Sequence, residues 1–353
     1  MFKKERERHS PFSFNFIFFL SKWEPFLASS QLPPPLGKQW WERNDLLIVG
    51  PGVLGRLVAE KWREVKPNQL VDCLNIIIHC SFRGTSRMSN YGQTVTTDHH
   101  NELISLGINP FLKETKTDQK FPYVLFFVLL LQKPQIMLVI LGNFLKIFMA
   151  NCHSPVTSHS IRLAALSWNG EGSFVFTSSS APYDCNDNGP CDEDTPTVPM
   201  GRSPRTDTLL KAEKVVLEFD GCVVRGAHFY WLHKGTVDAR PDHILNLIHY
   251  EDAASLSVTI LKKKLRGRIF LGCDNHPLSR QEVMDLVDKS GNLTKSSKAL
   301  QGEYILIWVW GYGSPSPGTS DPLGKKLNNS NTRKELGWEP KYPSFAHFLG
   351  VSK

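Results

Sequence analysis

Short apolar runs alternate with amphipathic stretches from residue 45 onward, an order typical of an α/β protein. The runs are rich in β-branched and aromatic side chains, so each predicts a buried strand. Strands are predicted at 46–49, 92–97, 123–128, 173–177, 222–225 and 268–271. Helices are predicted at 54–62, 101–106, 209–219, 251–261 and 279–290, with a further helix ending at 161–166. This alternation predicts a doubly wound parallel sheet with helices on both faces and a smaller C-terminal α/β lobe.

The link between the first strand and the first helix has the spacing G-x-G-x-x-G, from Gly50 to Gly55. A glycine at 50 permits a tight turn, and Gly52 lacks the Cβ that would block an approaching diphosphate. Gly55 allows the helix to pack closely on the strand. The helix then begins with unpaired N–H groups and a positive dipole end. Gly50, Gly52, Val53, Leu54 and Gly55 are therefore predicted to bind a nucleotide diphosphate, and an ordinary glycine-rich turn is the alternative.

Several stretches do not fit this alternation. Residues 1–43 combine a charged start, a Phe-rich run and three prolines, which favours an unstructured or targeting leader. Apolar insertions lie near 68–90 and 128–160, and 303–317 is unusually aromatic. Residues 121–149 could alternatively form a membrane anchor, although Lys133, Pro134 and Lys146 interrupt the apolar run and make a membrane location a minor alternative.

Composition narrows the class of protein only slightly. The net charge of +7 is concentrated at the N-terminus and in residues 262–268, and no nucleic-acid-binding module accompanies it, so no nucleic-acid partner is expected. The seven cysteines are scattered without C-x-x-C spacing, and neither a zinc site nor a disulfide framework is predicted. Cys185 and Cys191 flank a short polar loop and could meet. The chain is predicted to be intracellular, in the cytoplasm or a plastid, with no metal.

Four markers in their order carry a family resemblance. They are the glycine turn; FVFTSSSAPYD at 174–184 followed by 192–196; NLIHYEDAA at 246–254; and ELGWEP at 335–340. Together they resemble the atypical and extended short-chain dehydrogenase/reductase superfamily, which includes NAD-dependent epimerases and dehydratases, and most closely a branch found in plants and bacteria. The resemblance implies a Rossmann-type NAD(P)-binding domain at 44–225 and a C-terminal lobe at 226–353 that completes the fold.

The resemblance implies a catalytic serine at Ser179, with Tyr183 as a further candidate. The family's Tyr-x-x-x-Lys pair, in which the lysine lowers the tyrosine pKa, falls on Arg205 and Leu209. Arginine does not release its proton and leucine carries no charge, so the usual acid–base pair is missing. Arg202 and Arg205 could instead grip a phosphate or carboxylate of a substrate, or pair with Asp207 or Glu213. His249 and Asp252 are interpreted as structural residues.

The cofactor is expected to be NAD or NADP, and Asp98, after the second strand, could accept the ribose hydroxyls of NAD. Two functions follow as alternatives. One is a nucleotide-binding protein without chemistry, and the other is an oxidoreductase or epimerase with a non-standard acid. The sequence does not define the substrate or the oligomeric state.

The insertions, and the abrupt change after Arg225, also suggest a hypothesis about the sequence itself. It would be a translation of an imperfect gene model that retains intron sequence near 68–90, 128–160 and 303–317 and lacks a short exon. A divergent paralogue is the alternative.

Overall fold

A computed structural model describes residues 44–64, 88–113, 115, 119–127, 158–185, 188–229, 232–237, 240–291, 307–312 and 323–351. The leader at 1–43 lies outside these residues, as does most of the insertions near 68–90 and 128–160. Of the aromatic stretch at 303–317, residues 307–312 are described.

The described strands, in chain order, are β1 (Leu46–Val49), β2 (Asn90–Thr94), β3 (Ile108–Leu112), β4 (Phe121–Phe127), β5 (Trp168–Ser179), β6 (Pro190–Cys191), β7 (Cys222–Gly226), β8 (His228–Phe229), β9 (Leu232–Val237), β10 (Ile244–Leu245), β11 (Leu247–Ile248), β12 (Ile269–Gly272), β13 (Leu278–Ser279), β14 (Ile307–Tyr312) and β15 (Lys326–Leu327). The helices are α1 (Val53–Arg63), α2 (His100–Ser105), α3 (Ser158–Leu166), α4 (Pro204–Glu218), α5 (Tyr250–Lys262), α6 (Arg280–Ser290), α7 (Ser330–Leu336) and α8 (Phe345–Phe348).

Seven strands form one sheet in the order β3-β2-β1-β4-β5-β7-β12, and every neighbouring pair is parallel. Strand order reverses between β1 and β4, which is the switch point of a doubly wound sheet. The predicted Rossmann-type fold class is therefore confirmed. Four two-stranded pairs accompany the sheet: β10 with β13, β11 with β8, β14 with β9, and β15 with β6.

Both faces of the sheet are covered by apolar side chains. One core cluster joins α1 and α5 to the sheet through residues such as Leu54, Val58 and Leu256. The opposite cluster joins α3 and α4 through Ile161, Ala212 and Val216. Because the central strands are buried on both faces, they read in the sequence as continuous apolar runs.

The C-terminal range 226–353 contributes to the main sheet as well as to smaller pairs. Helix α5 packs in the core beside α1, and β12 forms one edge of the seven-stranded sheet. A separate small cluster joins Leu247 with Val283 and Val287 of α6 and with Phe345 of α8. The predicted boundary at residue 225 stays a prediction, since the residues beyond it complete the same sheet.

Several elements differ from the sequence prediction. β2 runs from Asn90 to Thr94 instead of 92–97, because the Asn90 side chain is buried and donates a hydrogen bond to the Ala59 carbonyl oxygen at 2.9 Å. β3 was not predicted, since Pro110 interrupts its pattern. Pro110 is tolerated because β3 is the edge strand of the sheet. The backbone N–H that proline lacks is not needed there for a hydrogen bond to a neighbouring strand.

The segment considered for a membrane anchor begins inside the sheet. Residues 121–127 form β4, between β1 and β5, and the rest of 121–149 lies outside the described residues. Among the helices that the structure describes, none has the length and apolar character needed to cross a bilayer.

The basic cluster at 262–268 has structural partners in the fold. Arg266 lies over the Trp168 ring at 4.9 Å from its centroid and donates to the Gly172 carbonyl oxygen at 3.3 Å. Arg268 pairs with Glu335 at 2.6 Å. These contacts tie the turn after α5 to the amino end of β5 and to α7.

Candidate functional site

The glycine turn lies at the carboxyl end of β1, beside the switch point. Gly50 has a φ of +77°, a left-handed conformation that favours glycine, and its N–H donates to the Gln93 carbonyl oxygen at 3.1 Å. A Cβ on Gly50 would lie 3.3 Å from the Phe127 carbonyl oxygen at the end of β4. The turn is therefore held against the ends of both neighbouring strands.

Helix α1 begins directly after this turn and approaches β1 closely. A Cβ on Gly55 would stand 2.9 Å from Cγ2 of Ile48, so the residue at 55 must be glycine for this packing. Gly52 is the N-cap of α1 and offers no side chain to its N–H groups, and the first turn contains no acidic residue. The start of α1 therefore presents backbone donors and a positive dipole end.

A cleft continues from this turn along the carboxyl ends of the strands. Its walls come from the start of α1, the ends of β4, β5 and β7, and α5; they include Leu54, Phe127, Thr177, Ser178, Gly226 and Ala253. Of the residues predicted to bind a nucleotide, Leu54 lines the cleft. Its largely apolar wall and its place at the strand ends are typical of ligand sites in open α/β sheets.

The serines at the end of β5 have different environments. Ser178 lines the cleft, and its hydroxyl donates to Glu213 Oε1 at 2.5 Å. Ser179, the predicted catalytic serine, is half-buried, and its Oγ accepts a hydrogen bond from the Ala181 N–H at 3.2 Å. That bond uses the Ser179 oxygen as an acceptor and leaves the direction of its O–H open. The hydroxyl could therefore donate its hydrogen to a ligand.

A buried ion pair supports this strand end. Arg225 of β7 donates from Nη2 to Glu213 Oε2 at 2.7 Å and from Nε to the same oxygen at 3.2 Å. Both side chains are almost completely buried, at 6% and 3% exposure. Burial alone would lower the pKa of Arg225, but the neighbouring carboxylate of Glu213 outweighs it and raises that pKa, so the guanidinium keeps its proton. With Ser178, which lines the cleft, the pair forms a buried polar network at the ends of β5 and β7.

Tyr183 lies next to this network and not in an exposed acid position. Its ring is 2% exposed, and the Arg225 guanidinium carbon lies 4.5 Å from the ring centroid. Burial raises the pKa of Tyr183 to about 12, and Arg225 opposes that rise. The phenol therefore keeps its proton near neutral pH. A catalytic role for Tyr183 stays a prediction that this environment does not favour.

The two arginines before and within α4 are separate in their contacts. Arg202 pairs with Asp184 at 3.3 Å in an exposed ion pair. The partners expected for it are engaged elsewhere, since Asp207 accepts from the Gly201 N–H at 2.9 Å and Glu213 binds Arg225. Arg205 lies in the first turn of α4, and Leu209, at the family's lysine position, is completely buried. An anion at Arg202 would compete with the Asp184 carboxylate.

Asp98 lies in the turn before α2, four residues beyond the end of β2. It is exposed, and its carboxylate accepts a hydrogen bond from Thr96 Oγ1 at 3.0 Å. Its role toward a ribose stays a prediction. No group of His, Cys, Asp and Glu able to hold a metal occurs within the described ranges.

His249 and Asp252 at the start of α5 hold the C-terminal segment. His249 Nδ1 accepts from the Glu251 N–H at 3.2 Å, and its ring packs 4.1 Å from that of Tyr342. Asp252 accepts from the backbone N–H groups of Lys341 at 2.6 Å and Tyr342 at 3.0 Å. Their structural interpretation agrees with these contacts.

The network of Ser178, Glu213 and Arg225, and the amine of Lys325, were missed by sequence reasoning. Lys325 Nζ donates to the carbonyl oxygens of Tyr183 at 2.7 Å and Ser180 at 3.1 Å. A signal existed for the ion pair: Glu213 lies on the buried stripe of α4 with Leu209 and Ala212, and Arg225 is the one charged residue of the predicted apolar strand 222–225. A charge at such a position needs a partner. Lys325 gave no comparable signal.

Fold and cleft together define a doubly wound α/β protein with a glycine-rich turn at its switch point. No protein-family model and no curated protein sequence matches the chain. Solved structures of this fold are similar over 87% of the chain. One is a conserved protein of unknown function from Silicibacter pomeroyi, with 16% identity, a TM-score of 0.57 and 98% of its length covered.

Two others are enzymes. A UDP-glucose 4-epimerase from Thermotoga maritima, solved with UDP-glucose, has 12% identity, a TM-score of 0.56 and 96% of its length covered. A UDP-glucuronic acid 4-epimerase from Bacillus cereus, solved in complex with NAD, has 14% identity, a TM-score of 0.54 and 97% of its length covered. At this identity the similarity establishes the fold that the family resemblance implied.

Proposed function

We propose that this protein binds NAD or NADP, with the diphosphate at the start of α1 and the nicotinamide end toward β5. The observation that carries the proposal is the Gly50–Gly55 turn. It lies at the β1/β4 switch point and leads into α1, whose N-terminal N–H groups have no side-chain cap. The UDP-glucuronic acid 4-epimerase from Bacillus cereus, which shares this fold, was solved in complex with NAD. Gly50, Gly52, Val53, Leu54 and Gly55 would contact the diphosphate through the backbone.

We further propose that the protein binds the coenzyme without the chemistry of the family's Tyr-Lys pair. Arg205 and Leu209 stand at those two positions, and Leu209 is completely buried. Tyr183 retains its proton because burial raises its pKa to about 12. Ser178 is bound to Glu213. None of these described groups supplies an acid–base pair near neutral pH.

Isothermal titration with NAD, NADH, NADP and NADPH tests the binding. We expect saturable heat with at least one of them and none with Gly52→Val, whose side chain would occupy the space of the diphosphate. Glu60→Val is the matched control, because it places the same side chain at an exposed position of α1, about two helical turns beyond Gly52. Folded wild-type protein that binds none of the four would refute the proposal.

Asp98 remains the proposed determinant for NAD over NADP. Its carboxylate would accept hydrogen bonds from ribose hydroxyls and repel a 2′-phosphate. Asp98→Asn should weaken NAD binding. It should also bring the dissociation constants for NAD and NADP closer together. An unchanged ratio of the two dissociation constants would exclude this role.

An oxidoreductase or epimerase with a non-standard acid is the second candidate. It is favoured by the Ser179 hydroxyl, which lies at the end of β5 and can donate to a substrate oxygen. Arg202 and Arg205 would then bind a phosphate or carboxylate of the substrate, with Arg202 leaving Asp184. Turnover of a sugar nucleotide that is lost in Ser179→Ala, while coenzyme still binds, would support this candidate over binding alone.

A further inference from the structure

Two thiols and one amine meet beside the turn that follows β5. Cys191 belongs to a buried apolar cluster with Tyr183 and Leu327, and the partly buried side chain of Cys185 packs against the same cluster. The ammonium of Lys325 lies beside this cluster, because its Nζ donates to the carbonyl oxygen of Tyr183, two residues before Cys185, at 2.7 Å. Cys191 is 2% exposed, whereas Cys185 is partly exposed and can meet a dissolved reagent.

Backbone hydrogen bonds hold the segments that carry the two cysteines. β6, which contains Cys191, pairs with β15, and the Lys326 N–H donates to the Gly189 carbonyl oxygen at 2.9 Å. On the side of Cys185, the Asp184 N–H donates to the Pro196 carbonyl oxygen at 2.7 Å. Lys325 joins the two sides, because its amine binds the Tyr183 carbonyl oxygen. The thiols are thus brought together by tertiary pairing as well as by their nearness in sequence.

A neighbouring ammonium favours the thiolate form, and the thiolate is the form that attacks a disulfide. We propose that Cys185 and Cys191 are a redox site that closes to an intramolecular disulfide, with a low-molecular-weight disulfide such as oxidised glutathione as the oxidant. This inference does not depend on coenzyme binding.

The reaction proceeds by two thiol–disulfide exchanges. The Cys185 thiolate attacks one sulfur of glutathione disulfide, which forms a mixed disulfide and releases one glutathione thiolate. The Cys191 sulfur then attacks the Cys185 sulfur, loses its proton to solvent and releases the second glutathione. The two cysteines are oxidised by two electrons, and one glutathione disulfide is reduced to two thiols. Burial raises the pKa of Cys191 to about 12, which assigns the first attack to the partly exposed Cys185.

The chain offers a direct mass readout. The tryptic peptide 163–202 contains Cys185 and Cys191 and no other cysteine. After equilibration of the folded protein with reduced and oxidised glutathione, acid quenching and alkylation, we expect this peptide to lose two hydrogens and to take up no alkylating group. The equilibrium constant for oxidation should be at least about tenfold larger in the folded protein than in the chain unfolded in guanidinium, because the fold raises the effective concentration of one thiol at the other.

Variants separate the two steps. Cys191→Ser should accumulate a glutathione adduct on Cys185, and Cys185→Ser should give neither adduct nor disulfide. Cys273→Ala is the matched control, since Cys273 belongs to the same cluster, and it should oxidise like the wild type. An oxidation constant in the folded wild type that is equal to or below that of the unfolded chain would overturn the proposal. A Cys191→Ser protein without an adduct would overturn it equally.

Discussion

At the scale of single residues, a few buried polar groups shape the cleft. Arg225 of β7 donates hydrogen bonds to the Glu213 carboxylate of α4, and Glu213 also accepts one from Ser178 at the cleft wall. A charge without a partner at such a position costs several kcal/mol. The ion pair therefore fixes the distance between helix and strand at the end where the ligand is proposed to bind.

Truncating Glu213 tests this arrangement. Glu213→Ala leaves the Arg225 charge buried without its carboxylate, and it should lower the free energy of unfolding by about 3–5 kcal/mol. Chemical denaturation with urea measures the change.

The matched control is Glu218→Ala on the same helix. Glu218 pairs with Arg162 at 3.2 Å in an exposed bridge, so its loss should cost less than about 1 kcal/mol. Equal losses of unfolding free energy in the two variants would show that the buried pair stabilises the protein no more than the exposed one.

At the scale of elements, local end signals define the helices. Ser279 accepts from the Glu282 N–H, and Glu282 accepts from the Ser279 N–H at 2.7 Å, so the two residues form a capping box at the start of α6. Helix α6 ends at Gly291 in the left-handed conformation. Its apolar side carries Val283 and Val287 into the cluster with α8. The cap fixes the residue at which α6 begins, and the apolar side packs the helix against α8.

Removing the cap should weaken this part of the protein. Ser279→Ala leaves helix N–H groups without their side-chain acceptor and should cost about 1 kcal/mol. Thermal unfolding measures it, with Ser279→Thr as the variant that keeps a hydroxyl at the cap. A Ser279→Ala protein as stable as Ser279→Thr would show that the capping box does not contribute.

At the scale of the whole molecule, the C-terminal segment closes the structure over α5 and β12. Trp338 is buried and donates from Nε1 to Ser255 Oγ at 2.9 Å, and Thr332 accepts from the Leu271 N–H at 2.9 Å. Asp252 and His249 bind the residues that follow. The segment therefore packs on two elements that precede it in the sequence, α5 and β12.

Two groups at this junction make stability depend on pH in opposite directions. Burial lowers the pKa of His249 from 6.5 to about 4, so its unfolded form binds the proton more readily, and stability is lost as the pH falls from 6.5 to 4. Burial raises the pKa of Asp252 from 3.8 to about 6, so its folded form binds the proton more readily, and stability is lost as the pH rises from 3.8 to 6.

Variants at these positions should separate the two effects. His249→Asn keeps an acceptor at the N-cap and removes the histidine titration, so its free energy of unfolding should fall less on acidification from pH 6.5 to 4 than that of Asp252→Asn. The slopes should differ by up to about 1.4 kcal/mol per pH unit for each proton. Glu251 and Lys341, which act on both groups, are unchanged in the two variants. Urea unfolding measured across this range with equal slopes would contradict the assignment.

The hypothesis of an imperfect gene model also belongs to this scale. Sequencing of transcripts across residues 68–90, 128–160 and 303–317 should yield spliced reads that lack these stretches and contain additional codons after Arg225. Continuous reads that encode all three stretches would refute this hypothesis and leave a divergent paralogue as the alternative.

The sequence by itself determined the order of the elements and the fold class. Strands such as β1 and β7 are buried on both faces, so they appear as continuous apolar runs, and the glycine spacing between β1 and α1 is a local requirement of a close turn. The capping box of α6 is likewise local, because its donors and acceptors are three residues apart. Such features are visible before any long-range contact is known.

Tertiary structure alone decided which side chains meet. The strand β3 exists because an edge position tolerates Pro110, and β2 begins at Asn90 because the Ala59 carbonyl oxygen accepts its side chain. The contacts of Ser178 with Glu213, and of Lys325 with the Ser180 carbonyl oxygen, join residues 35 and 145 positions apart. The physical reason is that periodicity reports burial along one element, whereas pairing of polar groups depends on how separate elements pack.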